Sequence, residues 1–458
     1  MNQFVFEKKQ KNVLGAFIAV GILSMILSYF MDSGTMHMRF WTNYLHNTVF
    51  FLGIAFIITF VLHAKVLLYS GWHVAFKRVW EAYAQFLLVG LILMLPVIIG
   101  VWGHFHHLYH WADPEAMKTD KILQGKSSFL NPVWYTVGTL GIVGVWYFFF
   151  AKKYRALSID EDNNPDAEYS QHKKIKFNAA VFLPIAAFSS AALIWQWIMS
   201  LDAHWYSTMY AWYSTASWWV SAVALTILTL IYLKSKGYMD MVTTEHLHDL
   251  GKYMFAFSIF WTYLWFSQYM LIWYANVGEE TTYFHLRMRK FPVLFYGNLI
   301  LNFVLPFLIL MRNDTKRKYG TLALTAGIVF FGHWFDFFQM VKPGTWLSEI
   351  EHAKHANHEP SSKHVETANL EQGMNHDSHK AGAEHNSTAE SHEGTKISKW
   401  GYPEGFVNGV SFPGFLELGT FLGFIGLFFY FVFGQLEKAS LVPKNNPYIE
   451  ETAHHHVM

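Results

Sequence analysis

Long apolar runs separated by short polar and basic segments set the rhythm of the chain. Ten runs approach or exceed the roughly 20 residues a helix needs to cross a bilayer core. They lie at about 13–31, 44–68, 83–103, 131–151, 177–199, 212–233, 253–275, 291–311, 321–341 and 413–434. Stretches such as FLGIAFIITFV in the second and FLLVGLILMLPVIIGVWG in the third carry no charge at all. Strands of a membrane barrel would alternate over about ten residues instead. The pattern therefore predicts an all-α polytopic membrane protein with about ten transmembrane helices.

Lys and Arg placement orients these spans. One side collects 19 basic residues, among them Lys8, Lys77, Arg78, Lys152, Lys173, Lys234, Arg312 and Lys438, against 7 on the other, including Arg39, Lys118 and Arg287. The bias predicts both termini in the cytoplasm, and an even number of spans requires both on the same side. Residues 1–341 then hold spans one to nine, and 413–458 hold span ten with a cytoplasmic tail. Between them, 342–412 reads as a polar periplasmic loop with eight histidines from His352 to His392. Its composition is too polar to bury a core alone. A solvated segment lying on partners is the simpler reading, and metal binding stays open beside it.

Composition narrows the chemistry. Aromatic residues make up 19% of the chain, which suits lipid contact and headgroup belts. The net charge of +1 offers no basic excess for nucleic acid. Without a cysteine, the chain cannot ligate an iron–sulfur cluster through thiolates, attach a c-type haem or use a thiol nucleophile. The histidines inside the spans are too few and too uneven in depth for bis-histidine haem, and HFHHLYH at 104–110 reads more simply as interfacial than as a metal site.

Ionisable groups inside spans are the candidate chemistry, because each costs at least about 2.5–3.5 kcal/mol at the bilayer centre. His63, near the end of span two, and Glu81, just before span three, are placed to form the mouth of a proton path. Asp202 and His204 sit among tryptophans after span five, where a carboxylate and an imidazole suit a proton relay or a quinol headgroup. The plainer alternative is an interfacial turn. Asp249 and Glu279 bracket span seven, whose Ser267, Gln268 and Tyr274 would line a water file or bridge helices. His333 and Asp336, three residues apart in span nine, share one helical face. They are either a working pair or a satisfied, static one. Glu417 opens span ten with no evident partner.

Three segments carry a resemblance: SLDAHWYSTMYAWY, FSQYMLIWYANVGEETTYF and FPVLFYGNLILNFVLPFLILMRND. They look like the second large membrane subunit of bacterial alternative complex III, the ActF or "quinone-binding subunit 2" family. That family is related to the NrfD-type membrane subunits of polysulfide reductases. The resemblance covers nearly the whole chain and is weakest in the histidine-rich loop and the C-terminal tail. It implies a bacterial inner-membrane subunit of a quinol:cytochrome c oxidoreductase in the electron transport chain. It also implies two four-helix bundles, spans two to five and six to nine, with spans one and ten peripheral. The implied partners are an NrfD-like sister subunit, an iron–sulfur subunit, multihaem and monohaem cytochrome c subunits, and a terminal oxidase docked to the complex. Haem c and iron–sulfur clusters would reside in those partners, with menaquinol or another quinol as substrate and no redox centre in this chain. The resemblance carries a half or full proton path onto Asp202, His204, Asp249, Glu279, His333 and Asp336. A secondary transporter and a purely structural anchor are the competing readings.

Overall fold

The computed structural model describes residues 3–32, 36–357 and 413–455, with side chains described up to Ile350 in the middle segment. The histidine-rich stretch that begins at His352 lies outside the described side chains. Ten long helical segments are numbered here in chain order: α1 Lys8–Phe30, α2 Met38–Leu67, α3 Trp72–Gly103, α4 Pro132–Asn163, α5 Ser170–Leu201, α6 Met209–Ser235, α7 Thr244–Ala275, α8 Pro292–Leu310, α9 Tyr319–Asn357 and α10 Phe415–Leu436. Nine of them, all but α7, are long and apolar enough to cross a membrane among the described residues. The chain is thus a multi-pass, all-helical membrane protein. Helix α7 is long enough at 32 residues, but its Trp, Tyr, Ser and Gln side chains lower its hydropathy. It still exposes Tyr263, Phe266, Trp273 and Tyr274, the kind of aromatic surface lipid accepts.

Contacts between loops order the helix ends. At one end, Arg78 meets Asp162, Lys77 meets Glu161 at 3.4 Å, Arg317 meets Glu245 at 3.2 Å, and His455 meets Asp249 at 2.8 Å. This is the basic end. At the far end, His204 meets Asp120 at 2.5 Å, and the Ser348 hydroxyl donates to the carbonyls of Leu108 and Leu201 at 3.2 Å each. Helix α7 runs between the two ends like its neighbours, from the Glu245 and Asp249 contacts to the turn before the short helix Gly278–Lys290.

Helices α1 and α10 pair antiparallel. A Cβ built on Gly21 would fall 2.4 Å from Gly423 Cα, and Ser24 lies against Gly419. Small residues let the two backbones approach this closely, as is usual where helices pack in lipid. The pairing brings the segment before α1 to the residues that follow α10, where Phe6 N–H donates to Glu437 Oε1 at 3.1 Å. Helix α2 is the most central element. It packs against α3, α5, α6, α9 and α10, and nearly every residue from Thr42 to Thr59 is buried.

Several helices outrun their expected spans, α3, α4, α7 and α9 the most. Helix α3 starts at Trp72 rather than near 83, because Lys77, Arg78 and Glu81 enter the fold together and neutralise one another. Helix α9 continues past 341 to Asn357, through Pro343. The Lys-Pro-Gly sequence reads as a stop. It is overridden because Trp346 and Ser348 are buried and Gly344 lies against Leu201.

Candidate functional site

Helices α6, α7 and α8 send hydrogen-bond donors to a single carboxylate on α9. Asp336 of α9 has no exposed surface. Its Oδ1 accepts from the hydroxyl of Tyr213 on α6 and from Asn298 Nδ2 on α8, the latter at 2.6 Å. Its Oδ2 accepts from the indole N–H of Trp261 on α7 at 2.9 Å. Asn298 also donates to Gln339 Oε1 at 2.9 Å and accepts from Asn302 at 2.5 Å. Asn302 lies in a π turn over Ile300–Val304, which aims its amide at the Gly332 carbonyl, 2.9 Å away. Such turns recur where a helix must redirect a functional side chain.

His333 lies one turn before Asp336, on the same face as the sequence spacing requires. Its Nδ1 is 4.0 Å from Asp336 Oδ2 and 2.9 Å from the Ser217 hydroxyl. Its Nε2 is buried and meets no protein hydrogen-bond partner among the described residues. An imidazole bonded on one side and open on the other has the geometry of a relay.

A line of tyrosine rings runs from this cluster towards the far end. Tyr213 lies beside Tyr210, ring centres 6.2 Å apart, and Tyr210 is hydrogen-bonded to Tyr283 of the short helix Gly278–Lys290. Tyr283 carries the buried Arg287 guanidinium over its ring at 3.3 Å and stacks on Trp205 at 3.9 Å. Arg287 in turn faces Asp202. Burial pushes the Asp202 carboxyl up from its ordinary value, opposed by Arg287, His204 and Lys126.

Asp202 and His204 do not act on one acceptor side by side. His204 pairs with Asp120 instead, at 2.5 Å. Burial would raise the Asp120 carboxyl, but the His204 bond and the amides of Ile122 and Leu123 hold it below its ordinary value. The His204 ring also lies near His110, ring centres 5.9 Å apart.

The remaining candidates are scattered. Glu81 does not face His63. It is clamped by Arg78 at 2.6 Å and the Ser158 hydroxyl at 2.6 Å, so it ties α3 to α4 at the basic end. The His63 Nδ1 donates to the Thr59 carbonyl at 2.7 Å, and its ring lies against Tyr154 and Phe182. Asp249 is held by Lys252 and His455 at the basic end, while Glu279 is exposed at the start of the short helix at the other. Tyr274 is 83% exposed, so it cannot line an internal file with the buried Ser267 and Gln268.

Glu417 does have a partner. Arg39 forks onto it at 2.7 and 3.0 Å, and Asn43 adds a bond at 3.3 Å. His106 of the HFHHLYH segment turns inward to the Val97 carbonyl at 3.1 Å. Among the described residues no group of three or more His, Asp or Glu side chains is placed to hold a metal ion. No protein-family model matches the chain, and no curated protein sequence matches it.

Proposed function

We propose that this chain is a membrane subunit of a bacterial respiratory quinol:cytochrome c oxidoreductase of the alternative complex III type, and that its Asp336 cluster moves protons rather than electrons. In this reading it crosses the inner membrane ten times with both termini in the cytoplasm. Helices α2–α5 and α6–α9 form its two four-helix bundles, and α1 and α10 lie outside them. The electrons pass through haem- and cluster-bearing partners.

The observation that carries the reading is the convergence of four helices on one buried carboxylate, with tyrosines leading from it to Asp202 and Arg287. A buried acid is costly in a bilayer, and a function that loads and unloads a proton gives a reason to keep it there. Tyrosine hydroxyls both donate and accept, so a proton can pass along them by rotation of each O–H. Asp336, His333 and Ser217 would hold the proton at depth. Tyr213, Tyr210 and Tyr283 would connect them to the far-end groups Asp202, His204 and Asp120.

One feature favours a structural anchor instead. Every oxygen of Asp336 is already bonded, as a static cluster also requires. Purification from native membranes through an epitope on this chain tests the assignment. Haem c absorbance and quinol oxidation should co-purify with it. A chain that purifies alone and binds a transported solute would replace the assignment with a transporter.

A further inference from the structure

Lys65 lies at the basic end of α2, away from the Asp336 cluster, and only 8% of it is exposed. Its ammonium touches no carboxylate among the described residues. It rests on the rings of Trp72 at 4.8 Å and Tyr253 at 4.7 Å and donates to the Tyr253 hydroxyl at 2.9 Å. An ammonium has three donors, so two are left for another acceptor. A buried cation without a counter-charge is expensive, and cation–π contacts return only part of that cost.

The ammonium borders a narrow, half-open apolar crevice lined by eleven side chains, with about 20 Å³ of enclosed space. Its walls come from α2 (Ile58, Val61), α3 (Trp80), α6 (Val223) and α7 (Leu250). Trp72, Trp219 and Tyr253 are half-buried and form its rim. The crevice is a slot along the helices rather than a chamber. A second cation, Lys176 of α5, lies over the ring of Tyr69, just past the end of α2, at 4.1 Å.

We propose that this crevice binds an anionic phospholipid, its phosphate on Lys65 and the Tyr253 hydroxyl and one acyl chain laid along the open mouth of the groove between α2, α6 and α7. Charge complementarity names the headgroup, because an unpaired ammonium selects an anion over a zwitterion. The apolar walls and narrow shape name the chain. Lys-rich surfaces on the cytoplasmic side of a membrane already attract anionic lipid. Here the attraction is fixed at one residue and shaped by the slot behind it.

The test uses the purified full-length chain, delipidated in neutral detergent and titrated with phosphatidylglycerol or phosphatidylcholine, with bound lipid read by native mass spectrometry. Phosphatidylglycerol should bind at least tenfold more tightly than phosphatidylcholine. K65Q should bring it down to the phosphatidylcholine level, K65R should restore most of the difference, and substitution of the exposed Lys438 by Gln should change nothing. V223F fills the slot while leaving Lys65 in place, and should also weaken phosphatidylglycerol binding tenfold or more. It decides the matter should K65Q fail to fold. Equal binding of the two lipids, or unchanged phosphatidylglycerol binding in K65Q and V223F, overturns the site. Displacement of the lipid by an equimolar short-chain quinone overturns the lipid assignment.

Discussion

Replacing Asn298 with Leu removes the hub of the Asp336 cluster at almost constant side-chain size. Asn298 is fully buried and makes three bonds there: to Asp336 at 2.6 Å, to Gln339 at 2.9 Å and from Asn302 at 2.5 Å. The bond to a charged acceptor is worth about 1.5–3 kcal/mol and each neutral one about 0.5–1.5 kcal/mol. Asn302 keeps the Gly332 carbonyl, and Asp336 keeps Tyr213 and Trp261. Gln339 Oε1 loses its one described donor. The expected loss is therefore about 3–5 kcal/mol, nearer the lower figure if the cluster relaxes. Unfolding in mixed micelles with rising sodium dodecyl sulfate, followed by tryptophan fluorescence, measures it. A change below about 1 kcal/mol would refute the claim that these bonds hold α8 against α9.

Three further outcomes follow from other contacts. Arg39→Met leaves Glu417, 1% exposed, without its guanidinium, and should destabilise by about 3 kcal/mol or more. Adding Glu417→Gln should restore most of the loss in the same unfolding assay. Gly21→Leu should weaken the α1–α10 pair, since even a Cβ there falls 2.4 Å from Gly423 Cα, and proteolysis near the N-terminus should quicken. The His204–Asp120 contact should be pH-dependent. The folded Asp120 carboxyl lies below its ordinary 3.8, so its contribution is complete above that pH and is lost as the pH falls through the lower, folded value. Cleavage in the segment 114–126 by an acid-stable protease should therefore rise only below about pH 4.

Much of the fold was legible in the apolar runs, because a helix in lipid must satisfy its own backbone and so needs a long continuous stretch. Span ends were less legible. Lys77, Arg78 and Glu81 look like a loop until Asp162 and Ser158 arrive from α4, and Lys342-Pro343-Gly344 looks like a stop until Leu201 packs against it. His333 and Asp336 stood out because a charged residue in an apolar helix is rare and costly. The groups that hold Asp336 did not. Tyr213, Trp261 and Asn298 come from three other helices, and polar side chains of their kind recur throughout the spans. Arg39 and Glu417 are 378 positions apart, so only the folded chain pairs them. Asp202 and His204 invited a pairing by adjacency, but the turn between α5 and α6 sends His204 to Asp120 and leaves Asp202 facing Arg287.

We propose above all that Asp336 carries protons. The most direct test is the number of protons released per quinol oxidised by the assembled complex carrying Asp336→Asn. The amide keeps the shape and most of the hydrogen bonds but cannot hold a proton to pass on. The partners should still co-purify with the variant while proton release through this subunit is lost. Proton release and quinol oxidation both equal to the parent complex would contradict this proposal and leave Asp336 a structural knot among four helices.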